Sequence, residues 1–263
     1  MPIKPHRRTT AITDLTGKVA IVTGGARGLG ESIAWALVEN GATVVVADVL
    51  DGEGERTVAA MTDAGFRATY RSLDVRNTSG WTALASETKD SFGRIDCLVN
   101  NAGVNYPGSV EEATVEQFHN LLDINLLGAF RGMQAVIPYM KGNGGSIINM
   151  ASATTRKVVP MVTIYSAAKA ALANLTKTSA AWLGKDGIRV VSVHPGAHDT
   201  EMVRQALNAI GDPTARKAAE EDNPMKRLGH PTEVGALVAF LASDAASYIS
   251  GGEYFIDGAK SNI

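Results

Sequence analysis

The sequence predicts an α/β fold: one doubly wound sheet of about seven parallel strands, with helices on both faces. Three observations point there. Short β-branched runs alternate with helix-period segments from Gly17 nearly to the C-terminus. Runs such as VVVA and IRVVSV are apolar on both faces of the pleat, as parallel strands covered on both sides must be. No Pro- or Ser-rich linker and no repeat of fixed period divides the chain, so repeated βαβ units build a single sheet.

The elements follow in order. KVAIV is the first strand, and a glycine-rich turn follows it. Glu31 to Asn40 has helical periodicity and stops at Gly41, a plausible C-cap. TVVVAD is a second buried strand, Gly52 to Ala64 a helix, and RATYRSLDV a third strand. A helix through Trp81 and Leu84 leads to IDCLVNNAG, a fourth strand with a polar exit. One long helix is expected through EEATVEQFHNLLDINLLGAFRGMQAV, then a fifth strand, GSIINMAS. IYSAAKAAL opens a helix that runs to about Leu183. IRVVSVHPG is the sixth strand, PTEVGALVAFLAS a late helix, and GEYFI a short last strand.

Composition sets the outer limits. A chain of 263 residues, 45% apolar and 20% charged, fits a soluble globular protein with a substantial core. A formal net charge of −2 gives no broad attraction to nucleic acid or to an anionic membrane. No apolar run approaches the length of a bilayer span, and MPIKPHRRTTAITDLTG lacks the apolar centre of a signal peptide. The expectation is therefore a cytoplasmic protein with a flexible tail over residues 1–14 and one domain over residues 15–263. The single cysteine, Cys97, has no Cys/His partner at metal-ligand spacing, so no metal site is expected, and RIDCLVN reads as a buried strand.

Polar residues gather where the strands end, which is where a doubly wound sheet binds its ligand. The first strand ends in TGGARGLG, with Gly24, Gly28 and Gly30 spaced GxxxGxG. Glycines here let the backbone turn sharply and approach a pyrophosphate, and the next helix offers free N–H groups to it. The second strand ends at Asp48. A carboxylate there can accept hydrogen bonds from the adenosine ribose and repels a 2′-phosphate, which favours NAD over NADP. Arg27 qualifies that reading: it could bind a 2′-phosphate, pair with Asp48, or cover the adenine. The remaining ends are Asp74, Asn100-Asn101-Ala102-Gly103, Ser152 and Pro195-Gly196. Each alone could be a helix cap or loop residue. Together on one sheet edge they are hard to explain that way.

At this point the chain resembles the short-chain dehydrogenase/reductase family, from about Leu15 to Gly258. The matching motifs are TGGARGLG, LDV at Leu73 to Val75, NNAG, Asn125 in DINLLGAF, Ser152 in INMASA, Tyr165 and Lys169 in YSAAK, and HPGAHDT. The resemblance implies a Rossmann-like, nicotinamide-dependent oxidoreductase acting on a secondary alcohol or ketone, with Asn125, Ser152, Tyr165 and Lys169 as a catalytic tetrad. It implies a cofactor site drawn from Gly24, Arg27, Gly28, Leu29, Gly30 and Asp48, with Asp74 and Val75 near the adenine. Asn101, Ala102 and Gly103 would follow the adenosine ribose, and Tyr165 and Lys169 would meet the nicotinamide end. The backbone after Pro195-Gly196, including His198, would face the nicotinamide amide, with Thr200 nearby. Family members pair through their long helices, so a homotetramer or homodimer is implied.

The chemistry explains the spacing. Taking a hydride from an alcohol also requires removing the hydroxyl proton. A free tyrosine, with a pKa of about 10, is too weak a base near neutrality. Four helical residues separate two side chains by about 6 Å along the axis and leave them on one face. Lys169 can then sit beneath Tyr165 and favour the phenolate. Ser152 would hold the substrate oxygen. The resemblance gives Asn125 a water that relays protons from Lys169, in place of the solvent-facing or kink residue it would otherwise be.

Substrate walls are expected from Thr154, Val159 and Met161, from Val104 and Tyr106, and from a lid over about residues 200–223 with Met202 and Leu207. They are mainly apolar, which favours a bulky or cyclic alcohol or ketone, steroid-like ones included. Arg156 and Lys157 would suit an anionic substrate unless they point to solvent. His198 stands where the family has a branched aliphatic residue; it would pack against the ring, face solvent or touch substrate, with Asp199 free to orient it. The rival readings are a 3-oxoacyl carrier-protein reductase using NADPH and a non-catalytic NAD-binding module of the same fold.

Overall fold

A computed structural model of the chain describes residues 13–209 and 211–262. Nearly all of the expected tail, and Ile210 of the expected lid, lie outside the described residues.

Seven parallel strands form one sheet in the order β3-β2-β1-β4-β5-β6-β7. They are β1 (Val19–Thr23), β2 (Thr43–Asp48), β3 (Ala68–Ser72), β4 (Cys97–Asn100), β5 (Gly145–Met150), β6 (Ile188–Pro195) and β7 (Glu253–Ile256). The helices between them are α1 (Gly28–Glu39), α2 (Asp51–Asp63), α3 (Thr78–Phe92), α4 (Val115–Leu122), α5 (Gly128–Met140) and α6 (Thr163–Leu183). Beyond β6 come α7 (Glu201–Ala209), α8 (Ala215–Glu221) and α9 (Pro231–Ala242).

The core lies in two layers, one on each face of the sheet. One contains Ile33, Leu37, Val44, Val46 and Val238; the other contains Ile21, Val45, Leu98, Trp81 and Val136. Adjacent residues Val44, Val45 and Val46 therefore alternate between layers, which is why the strands read as unbroken apolar runs. The strand order reverses between β1 and β4, so their C-terminal ends diverge into a crevice.

The long helix expected over residues 111–136 runs from Val115 to Met140, with one π-helical turn inside it. A capping box starts α4 at Thr114: its hydroxyl accepts from Gln117 N, and the Gln117 side chain accepts from Thr114 N. The π-helical turn, Asp123–Leu127, joins α4 to α5. Gly128 opens α5 because any Cβ there would press against Val75.

Candidate active site

The glycine turn is built for a tight approach. Gly24 and Gly28 have φ of +62° and +61°, in the left-handed region glycine occupies at little cost. A Cβ on Gly30 would collide with the Gly24 carbonyl oxygen and come within 2.5 Å of Asn101 Nδ2. Asn101 Nδ2 donates to both the Thr23 and Gly24 carbonyls. Thr23 Oγ1 in turn accepts from Asn101 N and Ala102 N, which ties the end of β1 to the end of β4. Sequence reasoning gave Thr23 no such role, although it stands first in TGGARGLG. No side chain caps α1, since Arg27 is extended and accepts nothing there, so the first N–H groups of the helix face the crevice without a side-chain partner. Leu29 packs into the core beneath.

Asp48 is buried at the end of β2. It accepts from Ala26 N at 3.0 Å and from Val49 N and Leu50 N at 2.8 and 3.1 Å. Arg27 does not pair with it; the guanidinium lies 3.8 Å from Glu53. Asp74 is gripped by Arg76 at 2.7 Å, which holds its carboxyl below the usual range. Val75 is buried, and its carbonyl accepts from Trp81 Nε1.

The four residues of the implied tetrad converge. Ser152 follows β5 and lies near enough to the phenol of Tyr165, in the first turn of α6, to act on its titration. Lys169 is 4% exposed, one turn further on; its Nζ lies 5.6 Å from the Tyr165 ring centre and donates to the Met150 carbonyl at 2.7 Å. Burial pulls the Lys169 pKa down to about 8. The expectation for Tyr165 needs correcting. Burial raises its pKa, and Ser152 opposes the rise.

Asn125 is 1% exposed and lies in the π-helical turn. Its Oδ1 accepts from Val104 N and its Nδ2 donates to the Val104 carbonyl, both at 2.8 Å. It is neither solvent-facing nor a mere kink. A Cβ on Gly103 would lie 3.3 Å from Asn125 Oδ1 and 3.6 Å from Lys169 Nζ, so the NNAG turn runs between the two side chains.

Beyond β6, Gly196 packs against Asp257 where a Cβ would come within 2.7 Å. His198 does not face solvent. It is buried, forms a parallel bridge to Gly229, and shares a 3.0 Å hydrogen bond between Nδ1 and the Gly196 carbonyl. Burial lowers its pKa. Asp199 does not orient it: that carboxylate binds Arg204 at 3.0 Å and Arg216 at 2.9 Å, which joins the loop to α7 and α8. Thr200 is buried next to the position a Gly28 Cβ would take, and Pro195 closes β6.

Of the expected walls, Val104 and Tyr106 pack with Tyr165 around Leu121, Ile164 and Ala168. Gly108 pairs with Val162 and donates to the Met161 carbonyl, so the two wall loops are knitted together. Val159, Met161 and Met202 are exposed, and Leu207 is half-buried. The Thr154 hydroxyl is buried without a partner. Arg156 does not reach toward a substrate carboxylate. Its guanidinium donates to Asn262 and lies 3.9 Å from the Phe255 ring centre.

This crevice has the donors and the glycine cradle that a dinucleotide requires. The family model for enoyl-(acyl carrier protein) reductase matches residues 24–259. A 3-alpha-(or 20-beta)-hydroxysteroid dehydrogenase of Mycobacterium tuberculosis is 42% identical over 93% of this chain and 89% of its own length. A trans-4-hydroxycyclohexanecarboxylate dehydrogenase of Sinomonas cyclohexanicum is 40% identical over 92% of each. The crystal structure of gox2181 superposes with a TM-score of 0.91 at 32% identity, covering 96% of this chain and 98% of that one. The chain belongs to the short-chain dehydrogenase/reductase family, oxidoreductases that use NAD(P).

Proposed function

We propose that the chain interconverts an apolar, bulky or cyclic secondary alcohol and its ketone, with NAD(H) as cofactor and Tyr165 as general acid and base. The observation that carries the reading is the buried Lys169 one turn below Tyr165, its Nζ 5.6 Å from the phenol ring centre, with the buried Ser152 beside them. The uncapped start of α1 and the glycine cradle would hold the pyrophosphate, and Asp48 the adenosine ribose. Bound there, the nicotinamide supplies hydride acceptance or donation.

The residues of the chain do the rest. Ser152 Oγ can share the substrate oxygen with Tyr165 Oη and hold it in line. Tyr165 takes the hydroxyl proton in oxidation and returns one in reduction. Lys169 supplies positive charge at the phenol's helix face, and the side chain of Asn125 fixes the Val104 backbone opposite it. The exposed apolar residues around the mouth support an apolar substrate, and a hydroxysteroid and a hydroxycyclohexanecarboxylate dehydrogenase among the relatives support a cyclic one. The engagement of Arg156 by Asn262 weighs against an acyl-carrier substrate. Exposed Val115, Phe118, Leu127, Phe130 and Trp182 on the helices around α4, α5 and α6 support a homo-oligomer.

A panel of cyclic and open-chain secondary alcohols, read by NADH absorbance, tests the reading. Tyr165→Phe is expected to lower kcat by about a hundredfold or more while nucleotide binding persists, because positioned proton transfer contributes about that much. Activity retained at a tenth of the starting value, or better turnover with NADP, would count against it.

A further inference from the structure

The carbonyl of Ser152 is gripped from several sides. It accepts from the Thr155 backbone N–H at 3.1 Å and from the Thr155 hydroxyl at 2.8 Å. The third contact is His194 Nδ1, at 3.1 Å. His194 comes from β6, is 0% exposed, and belongs to no step of the chemistry above. Its Nε2 lies 2.9 Å from Ser192 Oγ, and its ring stacks on Phe255 of β7 with centres 4.5 Å apart.

Nδ1 has a second neighbour, Thr155 Oγ1 at 2.9 Å, and the bond to the carbonyl favours one tautomer. With the proton on Nε2, the Thr155 hydroxyl could turn to Nδ1, but the Nδ1 lone pair would still face the Ser152 carbonyl lone pairs at 3.1 Å. With the proton on Nδ1, the ring donates to Ser152, and Nε2 accepts from the Ser192 hydroxyl. Thr155 then keeps its own proton for the same carbonyl, and every polar atom is satisfied. Burial holds the ring's pKa below its ordinary value, against the opposing influence of the Ser152 carbonyl and Glu253, with Arg156 and Lys177 acting in the same direction as burial.

We propose that His194 is a positioning residue: its Nδ1–H fixes the Ser152 carbonyl, and so holds the turn that aims Ser152 Oγ at Tyr165. The turn itself gives Ser152 little else. Its backbone is extended and its Oγ accepts from Thr154 N at 3.2 Å, so a loosened carbonyl frees the turn that sets where the hydroxyl points. Phe255, with the Arg156 guanidinium also on its ring, keeps the imidazole from turning. This inference rests on the assignment of Ser152 and Tyr165 made above.

The test compares His194→Asn, His194→Gln and Thr155→Val with Tyr165→Phe as the control for that assignment. Asparagine places an amide N–H near the Nδ1 position, whereas glutamine reaches only the Nε2 position; both lose the aromatic stack. His194→Gln is expected to lower kcat by about tenfold, about 1.4 kcal/mol, the upper range for one neutral hydrogen bond, with nucleotide KM unchanged. His194→Asn is expected to stay within about threefold of the parent, despite a similar loss in melting temperature, since rescue follows the bond to the carbonyl. Thr155→Val removes another donor to that carbonyl at nearly constant volume and is expected to lower kcat by a comparable factor. If the Asn and Gln variants fall together in step with their melting temperatures, or Thr155→Val leaves kcat unchanged, the proposal is overturned. If Tyr165→Phe stays active, the catalytic assignment fails whatever the His194 variants do.

Discussion

Lys169→Met should make the protein more stable at neutral pH while abolishing turnover. The lysine is 4% exposed, and among the described residues its hydrogen-bond partner is the Met150 carbonyl at 2.7 Å. Burial moves its pKa from an ordinary 10.5 to about 8. A folded-state pKa below the unfolded value means the unfolded chain binds more protons between those two values, so this group's contribution to stability rises with pH across that window. At pH 7 the buried ammonium costs about 3 kcal/mol, at about 1.4 kcal/mol per pH unit; by pH 9.5 about 2 kcal/mol of that is recovered. Methionine carries no charge to bury. It does leave the Met150 carbonyl without its donor, which costs about 1 to 2 kcal/mol. The net expectation is a gain of about 1 to 2 kcal/mol at pH 7, or several degrees in melting temperature, fading to nothing near pH 9.5. Thermal melts of both proteins at the two pH values, at one protein concentration, measure it. A variant that melts below the parent at pH 7, or a difference that does not change with pH, would refute the reasoning.

Three further outcomes are expected. Asp48→Ser should shift the ratio of kcat/KM values toward NADP by about tenfold or more, because bringing like charges together costs more than the about 1.4 kcal/mol such a factor needs; equal ratios before and after would remove Asp48 from the cofactor reading. Gly30→Ala should weaken nucleotide binding at least about tenfold in a fluorescence titration, since the new Cβ meets the Gly24 carbonyl and must push the turn apart. Cys97, whose thiol burial pushes up to about 11, should resist iodoacetamide at pH 8 in the native protein and react once urea unfolds it; mass spectrometry of the adduct decides.

What the sequence made legible divides along a physical line. TVVVAD was readable as a strand to its last residue because both faces of β2 are buried, and a run of β-branched residues has no other comfortable place. The position of Gly30 was readable because a Cβ there would meet the Gly24 carbonyl within the same turn, and that of Gly24 because the turn needs its positive φ. The Tyr165–Lys169 pair was readable because helical spacing alone sets their relation. Asp199 was not: its arginine partners come from two different helices, so nothing local told it apart from a carboxylate meant for His198. The role of His194 was hidden for the same reason, since the carbonyl it meets is 42 residues away, just beyond the neighbouring strand.

Asn125 shows how the two kinds of information combine. Its helix propensity is poor, and periodicity continues through it, so local rules offer only an unexplained weak point in a long helix. The structure turns that weakness into a cause. A side chain that must present one acceptor and one donor to the two backbone groups of Val104 cannot also keep the regular helical register, and a π-helical turn supplies the extra residue at that spot. The turn then sets where α5 begins and lets Gly128 press against Val75. A π-helical turn that sequence rules could only register as poor propensity therefore bears on both the Val104 wall and the packing of Val75, next to Asp74.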